Sequence, residues 1–172
     1  MTKLKSLVLI LAVSFISVAV NAQEWKVNKI MDSVTIKMPG TAVETSKGGQ
    51  TGHELALPDS TKFSFLTINF EDFGLNEDAL TQMLDTDEFA EQYKSGISSQ
   101  GEVISEKKGV LANKYPYFEY EVKVEEHGKS VTSFLRTTFY KSIGIATVYT
   151  PGLKGTDTAT RDKYFDSMVI GK

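Results

Sequence analysis

Tyr117-Phe118-Glu119-Tyr120-Glu121-Val122-Lys123-Val124-Glu125-Glu126, then His127-Gly128, then Lys129-Ser130-Val131-Thr132-Ser133-Phe134-Leu135-Arg136-Thr137-Thr138-Phe139-Tyr140, is the stretch whose reading decides the fold. Both flanks are rich in aromatic and β-branched residues, which suit a pleated, half-buried surface. A glycine in the second turn position fits a tight primed turn, although His is a weaker first residue than Asn or Asp. With a two-residue loop, pairing follows by arithmetic. Val124 faces Val131, Val122 faces Ser133, Tyr120 faces Leu135 and Phe118 faces Thr137, giving one coherent apolar face. The other face pairs Glu119 with Arg136 and Glu121 with Phe134. A slip of one residue would turn the apolar row outward, so the register is strongly specified.

Outward from the hairpin, Lys141-Ser142 forms a second turn into a strand from Ile143 through Tyr149. The same arithmetic sets Leu135 opposite Val148 and Thr137 opposite Ala146, while Phe134, Ile145 and Tyr149 gather on the reverse face. A solvated face would read polar, so two apolar faces call for cover on both sides. Pro151-Gly152 ends the sheet. Thr158 or Thr160 is read as the cap of a last helix whose Tyr164, Phe165, Met168 and Val169 make a core-facing stripe.

Upstream, Val103 to Leu111 reads as a strand. Before it, Asn76 caps a helix, with Glu77 and Asp78 favourably placed near the positive end of its dipole. Leu80, Met83 and Leu84 form an apolar stripe, Asp85-Thr86-Asp87 reads as a break or a second cap, and Phe89, Ala90, Tyr93 and Ile97 continue the stripe at helical spacing. Phe63 to Phe70 alternates as a strand, with Leu66, Ile68 and Phe70 on one face and Phe63 and Phe65 on the other. His53 to Leu57 is a further strand, following a Gly-rich loop or loosely paired ribbon over residues 40–52. Val34 to Met38 reads as an edge-proximal strand stopped by Pro39-Gly40. The expected class is α+β, an antiparallel sheet flanked by helices on both faces.

Three phrases in this order resemble the Mog1/PsbP-like group of domains. They are Val34-Thr35-Ile36-Lys37-Met38-Pro39, the run Gly109-Val110-Leu111-Ala112-Asn113-Lys114-Tyr115-Pro116-Tyr117-Phe118-Glu119-Tyr120 leading into the central hairpin, and the closing Phe165-Asp166-Ser167-Met168-Val169-Ile170. The resemblance implies an α/β/α sandwich. It also implies a mostly non-enzymatic role in assembly or partner binding, or a small exported bacterial protein.

The first 22 residues read as a signal peptide. Lys3 and Lys5 supply the positive start, Leu7 to Val20 the apolar run, and Val20-Asn21-Ala22 the small residues before a cut between Ala22 and Gln23. An apolar run of fourteen residues is shorter than the roughly 20 a spanning helix needs, so no stable membrane span is expected after cleavage. Residues 23–172 then form one domain in the periplasm or outside the cell. Of the 19 basic side chains of the 172-residue chain, removal of Lys3 and Lys5 leaves 17 against 22 acidic, a formal charge of −5. That argues against a nucleic-acid partner, which needs a basic stripe. The chain has no cysteine, so its stability rests on packing without disulfides.

Chemistry-bearing motifs are sparse. His53-Glu54 lacks the second His of a zinc-protease helix, and His127 falls at a hairpin tip where nothing orients it. The serines near Gly96 and Gly101 form no nucleophile elbow. Asp72-Phe73-Gly74 lacks calcium-loop spacing, and Gly48 to Gly52 has no phosphate-loop ending. No catalytic residue, cofactor or metal ligand is assigned. Tyr115, Tyr117, Tyr140 and Tyr149 are the candidate interaction surface, because tyrosine buries a large area at low entropy cost. The leading expectation is an exported, non-catalytic domain that binds a protein partner or ligand in the cell envelope, as an assembly or accessory factor. The alternatives are an envelope hydrolase using His53 with nearby carboxylates, and a carrier of lipid or a small apolar ligand.

Overall fold

The central hairpin forms in the register read from its sequence. β7 (Tyr115–Glu126) pairs antiparallel with β8 (Lys129–Tyr140), with Val124 opposite Val131, Tyr120 opposite Leu135 and Glu119 opposite Arg136. Gly128 at the tip has φ +73°, a left-handed conformation that glycine adopts without a Cβ clash. β9 (Ile143–Thr150) returns after two residues, with Leu135 opposite Val148 and Thr137 opposite Ala146. The computed structural model describes residues 24–47, 50–126, 128–153 and 155–171. The segment read as a signal peptide, His127, Gly48 and Gly49 lie outside the described residues.

β3 (Val43–Lys47), β4 (Gln50–Ala56), β5 (Lys62–Asn69) and β6 (Glu102–Leu111) complete a seven-stranded antiparallel sheet in the order β3-β4-β5-β9-β8-β7-β6. The ribbon expected before His53 is thus the β3–β4 pair. β6 lies at one edge. A bulge between Val103 and Ser105 and the charges of Glu102, Glu106, Lys107 and Lys108 blunt it against pairing with other chains.

Helices α1 (Glu77–Leu84) and α2 (Asp87–Ser98) are capped by side-chain oxygens of Asn76 and Thr86, which accept from Ala79 N–H and Phe89 N–H. Their stripe, Leu80, Leu84, Phe89, Tyr93 and Ile97, packs with Phe118, Tyr120, Val122 and Phe139 of the sheet. The reverse face carries Phe63, Phe65, Phe134, Ile145 and Tyr149. These meet helix α3 (Thr158–Asp166) through Tyr164 and Phe165, and a second sheet of β1 (Lys26–Met31), β2 (Val34–Met38) and β10 (Val169–Ile170). Phe63, Tyr149, Tyr164 and Phe165 are almost wholly buried, and each large apolar side chain so buried contributes about 1.5–3 kcal/mol.

The antiparallel α+β class expected from the sequence holds. Three local expectations are corrected. Val34–Met38 is not close to the edge of the main sheet. It is the middle strand of the small one, with Val34, Ile36 and Met38 fully buried. Asp157, not Thr158 or Thr160, caps α3, because its carboxylate accepts from both Ala159 N–H and Thr160 N–H. Met168 and Val169 both lie beyond the helix, Met168 buried in the core and Val169 exposed in β10. Cover on the second face is shared between a helix and a small sheet, which an expectation of helices alone did not include. Among the described residues no helix is long and apolar enough to cross a membrane.

Ser167 shows why the closing phrase has its spacing. β10 covers only Val34 and Thr35 of β2. Just before it, Ser167 Oγ accepts from Lys37 N–H at 3.0 Å and donates to Tyr164 C=O at 2.7 Å. A side chain thereby satisfies a strand edge and a helix end together.

Candidate interaction groove

Two turns and one helix meet at one end of the sheet. The β6–β7 turn closes with Lys114 N–H on Leu111 C=O at 3.0 Å, and Ala112 and Asn113 both hold positive φ, +52° and +55°. The β8–β9 turn holds Lys141 at φ +55°. Such conformations are sparsely populated by residues with a Cβ. They bring Lys114-Tyr115 and Tyr140-Lys141 side by side. The two tyrosine rings meet edge to face, 5.7 Å between centroids. Lys114 Nζ lies 5.1 Å from the Tyr115 ring centre and Lys141 Nζ 5.3 Å from that of Tyr140, within range of cation–π attraction.

These groups border a groove of about 730 Å³. Val110, Pro116, Phe139 and Leu84 line it on the α1 face of the sheet, with Glu77 and Thr81 of α1 and Asp85 just past its end, whereas Tyr115 and Tyr140, each next to Pro116 or Phe139 along its strand, project from the opposite face. Val110 is 56% exposed, so the apolar lining reaches solvent.

The four tyrosines expected to share a surface separate in the structure. Tyr115 and Tyr140 are half-buried at the groove. Tyr117 and Tyr149 keep only 8% and 2% of their surface. Tyr149 faces inward because it stands opposite Phe63 and Phe134 on the covered face. Tyr117 is taken up by Arg136, whose guanidinium lies 4.4 Å from its ring centre and 4.8 Å from that of Phe165. A surface built on these residues narrows to Tyr115 and Tyr140. The lysines beside them went unread in the sequence, although each is the immediate neighbour of a tyrosine at a turn.

Arg136 is the other concentration of charge. Its Nε and Nη2 donate to Glu119 Oε2 at 2.8 and 2.7 Å, and its Nη1 donates to Asp166 Oδ1 at 2.7 Å. Burial pushes its pKa down, and the bonds to Asp166 and Glu119 more than offset this. The arrangement ties α3 to the sheet and leaves Arg136 itself 5% exposed, so it is a structural clamp.

His53 sits elsewhere. Its ring lies flat on Phe65, 4.8 Å between centroids at 10°. Neighbouring Glu54 projects from the opposite face, as successive strand residues must. Among the described residues no hydrogen bond or ion pair holds His53, and no group of three or more His, Cys, Asp or Glu is placed to bind a metal. A hollow of about 520 Å³ opens here, with Leu66, Ala146 and Val148 as its apolar part and Thr45, Glu54, Ser64 and Gln100 as its polar part.

No family model matches the sequence, and no curated protein matches it. Solved structures do match. The solution structure of cyanobacterial PsbP (CyanoP) from Synechocystis sp. PCC 6803 aligns over 88% of this chain and 95% of that one, with a TM-score of 0.54 and 13% identity. A crystal structure from Bacteroides thetaiotaomicron VPI-5482 aligns over 81% of this chain, with a TM-score of 0.51 and 16% identity. This chain spans only 46% of that protein's length. Identities this low speak for fold alone, and at that level the resemblance to the Mog1/PsbP-like group holds: the domain has a PsbP-like α+β fold.

Proposed function

We propose that this protein is an exported, non-catalytic accessory domain that binds a protein partner in the cell envelope through the Tyr115–Tyr140 groove. Export is supported by the charged start, apolar run and small-residue cleavage phrase of residues 1–22. The observation that carries the binding reading is the pair of turns at this end of the sheet: two half-buried tyrosines in edge-to-face contact, each with a lysine over its ring, are brought together by turns held in unfavourable backbone conformations. Backbone strain of this kind clusters at functional positions. Aromatic residues are enriched in the cores of protein interfaces.

The test is site-specific photo-cross-linking of the mature chain in cell-envelope extract. A photoreactive residue replacing Tyr140 should give a discrete adduct, lost when Tyr115→Ala is added. The same probe replacing Lys37, exposed on β2, should give none. Equal adducts from both positions would overturn the reading.

A second reading, carriage of a small apolar ligand, draws on the Leu66–Ala146–Val148 hollow. It predicts saturable binding of an apolar fluorophore that Ala146→Phe abolishes, and unchanged binding by that variant would remove it.

A further inference from the structure

We infer that the hollow beside β4 takes a small amphiphilic cation, its apolar body on Leu66, Ala146 and Val148 and its ammonium group on the Glu54 carboxylate. The inference rests on the small-ligand reading of that hollow and names the chemical class of the ligand.

The hollow exists because one face of the main sheet is covered over only part of its width. α1 and α2 pack on that face against Phe118, Tyr120, Val122 and Phe139, which belong to β7 and β8. After α2 the chain enters β6, at the edge of the sheet farthest from β3, while α3 and the small sheet go to the reverse face. The pairings set Gly52, Leu66 and Ala146 in one cross-strand row and Glu54, Ser64 and Val148 in the next. All six lie on one face, since paired positions, and positions two apart along a strand, share a face. It is the helical face: Thr137, opposite Ala146, shares a hydrogen bond of 2.7 Å with the Tyr93 hydroxyl of α2. Gly52, Ser64 and Ala146 are small and leave a depression beside Leu66 and Val148. Its volume, about 520 Å³, falls among those of small-molecule sites.

The charge of the hollow has one sign. Glu54 is half-buried in its lining, and among the described residues no hydrogen bond or ion pair engages the Glu54 carboxylate. Among the described residues no lysine or arginine lines the hollow. Lys62 shares the face but stands opposite Ala56 and Thr150 and lines a separate hollow. His53 and Phe65 border it, and their rings stack on the reverse face. Toward β7, Gln100 borders it just past the end of α2, whose last turn holds no basic residue. The negative end of that helix dipole adds to the Glu54 charge.

Other occupants meet these features badly. An anionic amphiphile is repelled by Glu54, with no cation in the lining to offset it. A wholly apolar molecule strips water from the carboxylate and replaces none of its hydrogen bonds. A bare metal ion finds one carboxylate where a hard cation needs about six oxygens, and leaves the apolar floor unused. An ammonium group on a short hydrocarbon body satisfies the carboxylate and covers the floor together.

The test titrates labelled mature chain with three probes that share one body: phenylbutylamine, phenylbutanol and phenylbutyrate. The amide signals of Gly52, Leu66, Ala146 and Val148 report occupancy. The amine should bind roughly tenfold more tightly than the alcohol, as a charge-assisted hydrogen bond gives, and phenylbutyrate should give no saturable shift. Glu54→Gln should bring the amine to the affinity of the alcohol and leave the alcohol unchanged. Added salt should narrow the gap between the two. Ala146→Phe should abolish binding of both. Circular dichroism confirms that each variant folds.

An amine no tighter than the alcohol overturns the inference, as does a preference that survives Glu54→Gln or a set of shifts outside the hollow. Saturable binding of phenylbutyrate would assign the hollow to anionic amphiphiles instead. If the alcohol binds, is lost in Ala146→Phe, and the amine gains nothing over it, carriage of a small ligand stands and this inference alone fails. If neither probe gives a saturable shift, or Ala146→Phe binds both unchanged, the reading beneath it fails.

Discussion

Replacing Glu119 by Gln tests whether the Arg136 clamp is held by its buried partner or shared evenly between two carboxylates. The side chains of Arg136 and Glu119 are 6% and 14% exposed, whereas that of Asp166 is 66% exposed. Removing one member of a buried pair costs about 3–5 kcal/mol, because a buried charge is left uncompensated. A solvent-exposed pair is worth about 0.2–1 kcal/mol. Gln keeps one acceptor oxygen, and Asp166 remains in place, so the loss falls short of the full figure. We expect Glu119→Gln to cost about 2–3 kcal/mol and Asp166→Asn less than about 1 kcal/mol. Adding Arg136→Met to Glu119→Gln should recover stability, since methionine fits the slot between the Tyr117 and Phe165 rings and removes the orphaned charge. Urea unfolding, followed by the fluorescence of the sole tryptophan, Trp25, reads this out by linear extrapolation. Trp25 is well placed, edge-on to Phe63 at 5.9 Å and 4.3 Å below Lys163 Nζ of α3. Equal losses from Glu119→Gln and Asp166→Asn would refute the reasoning, as would a double variant weaker than Glu119→Gln alone.

Gly109→Ala should destabilise by about 1–3 kcal/mol, as overpacking does. A Cβ there would collide with the Tyr117 ring that stacks on Arg136, so a neutral result in thermal unfolding would count against the packing described. Ala112→Gly should stabilise by up to about 1 kcal/mol: relief of the left-handed Ala112 backbone outweighs glycine's greater freedom in the unfolded chain. A lowered midpoint would contradict the strain argument. The phenol of Tyr120 is pushed up to about 12 by burial, then by the Glu106 carboxylate, and burial also raises Tyr93, Tyr149 and Tyr164. The unfolded chain therefore ionises first, near the ordinary value of about 10. The contribution of these phenols is complete below that pH and is lost progressively as pH rises from there toward about 12. Denaturation profiles across this range, paired with phenolate absorbance, check it. Stability unchanged over the window would show that the phenols are accessible in the folded state.

What was legible in the sequence was local. The hairpin around His127-Gly128 came out residue for residue, because a period of two and a two-residue loop leave one register that keeps Tyr120, Val122 and Val124 on one face. The helix starts at Asn76 and Thr86 could be read for the same reason, since an N-cap bond spans three residues. Asp157 was missed beside Thr158 and Thr160, although the nearby hydroxyl of Thr160 serves the same cap by donating to its carboxylate at 2.6 Å.

Only the tertiary structure decided which apolar faces met each other. The pairing of β10 with β2, the burial of Tyr117 and Tyr149, the bond from Lys37 N–H to Ser167 Oγ across 130 residues and the reach of Arg136 to Asp166 across 30 have no local signature. They arise once α3 and the small sheet close over Phe63, Phe134 and Tyr149, and burial there is non-directional, rewarding any cover that excludes water. The groove has the same origin. Lys114-Tyr115 and Tyr140-Lys141 are unremarkable dipeptides at separate turns. The sheet order places those turns side by side, and α1, held by Leu80 and Leu84 in the core, covers the other face of that end of the sheet.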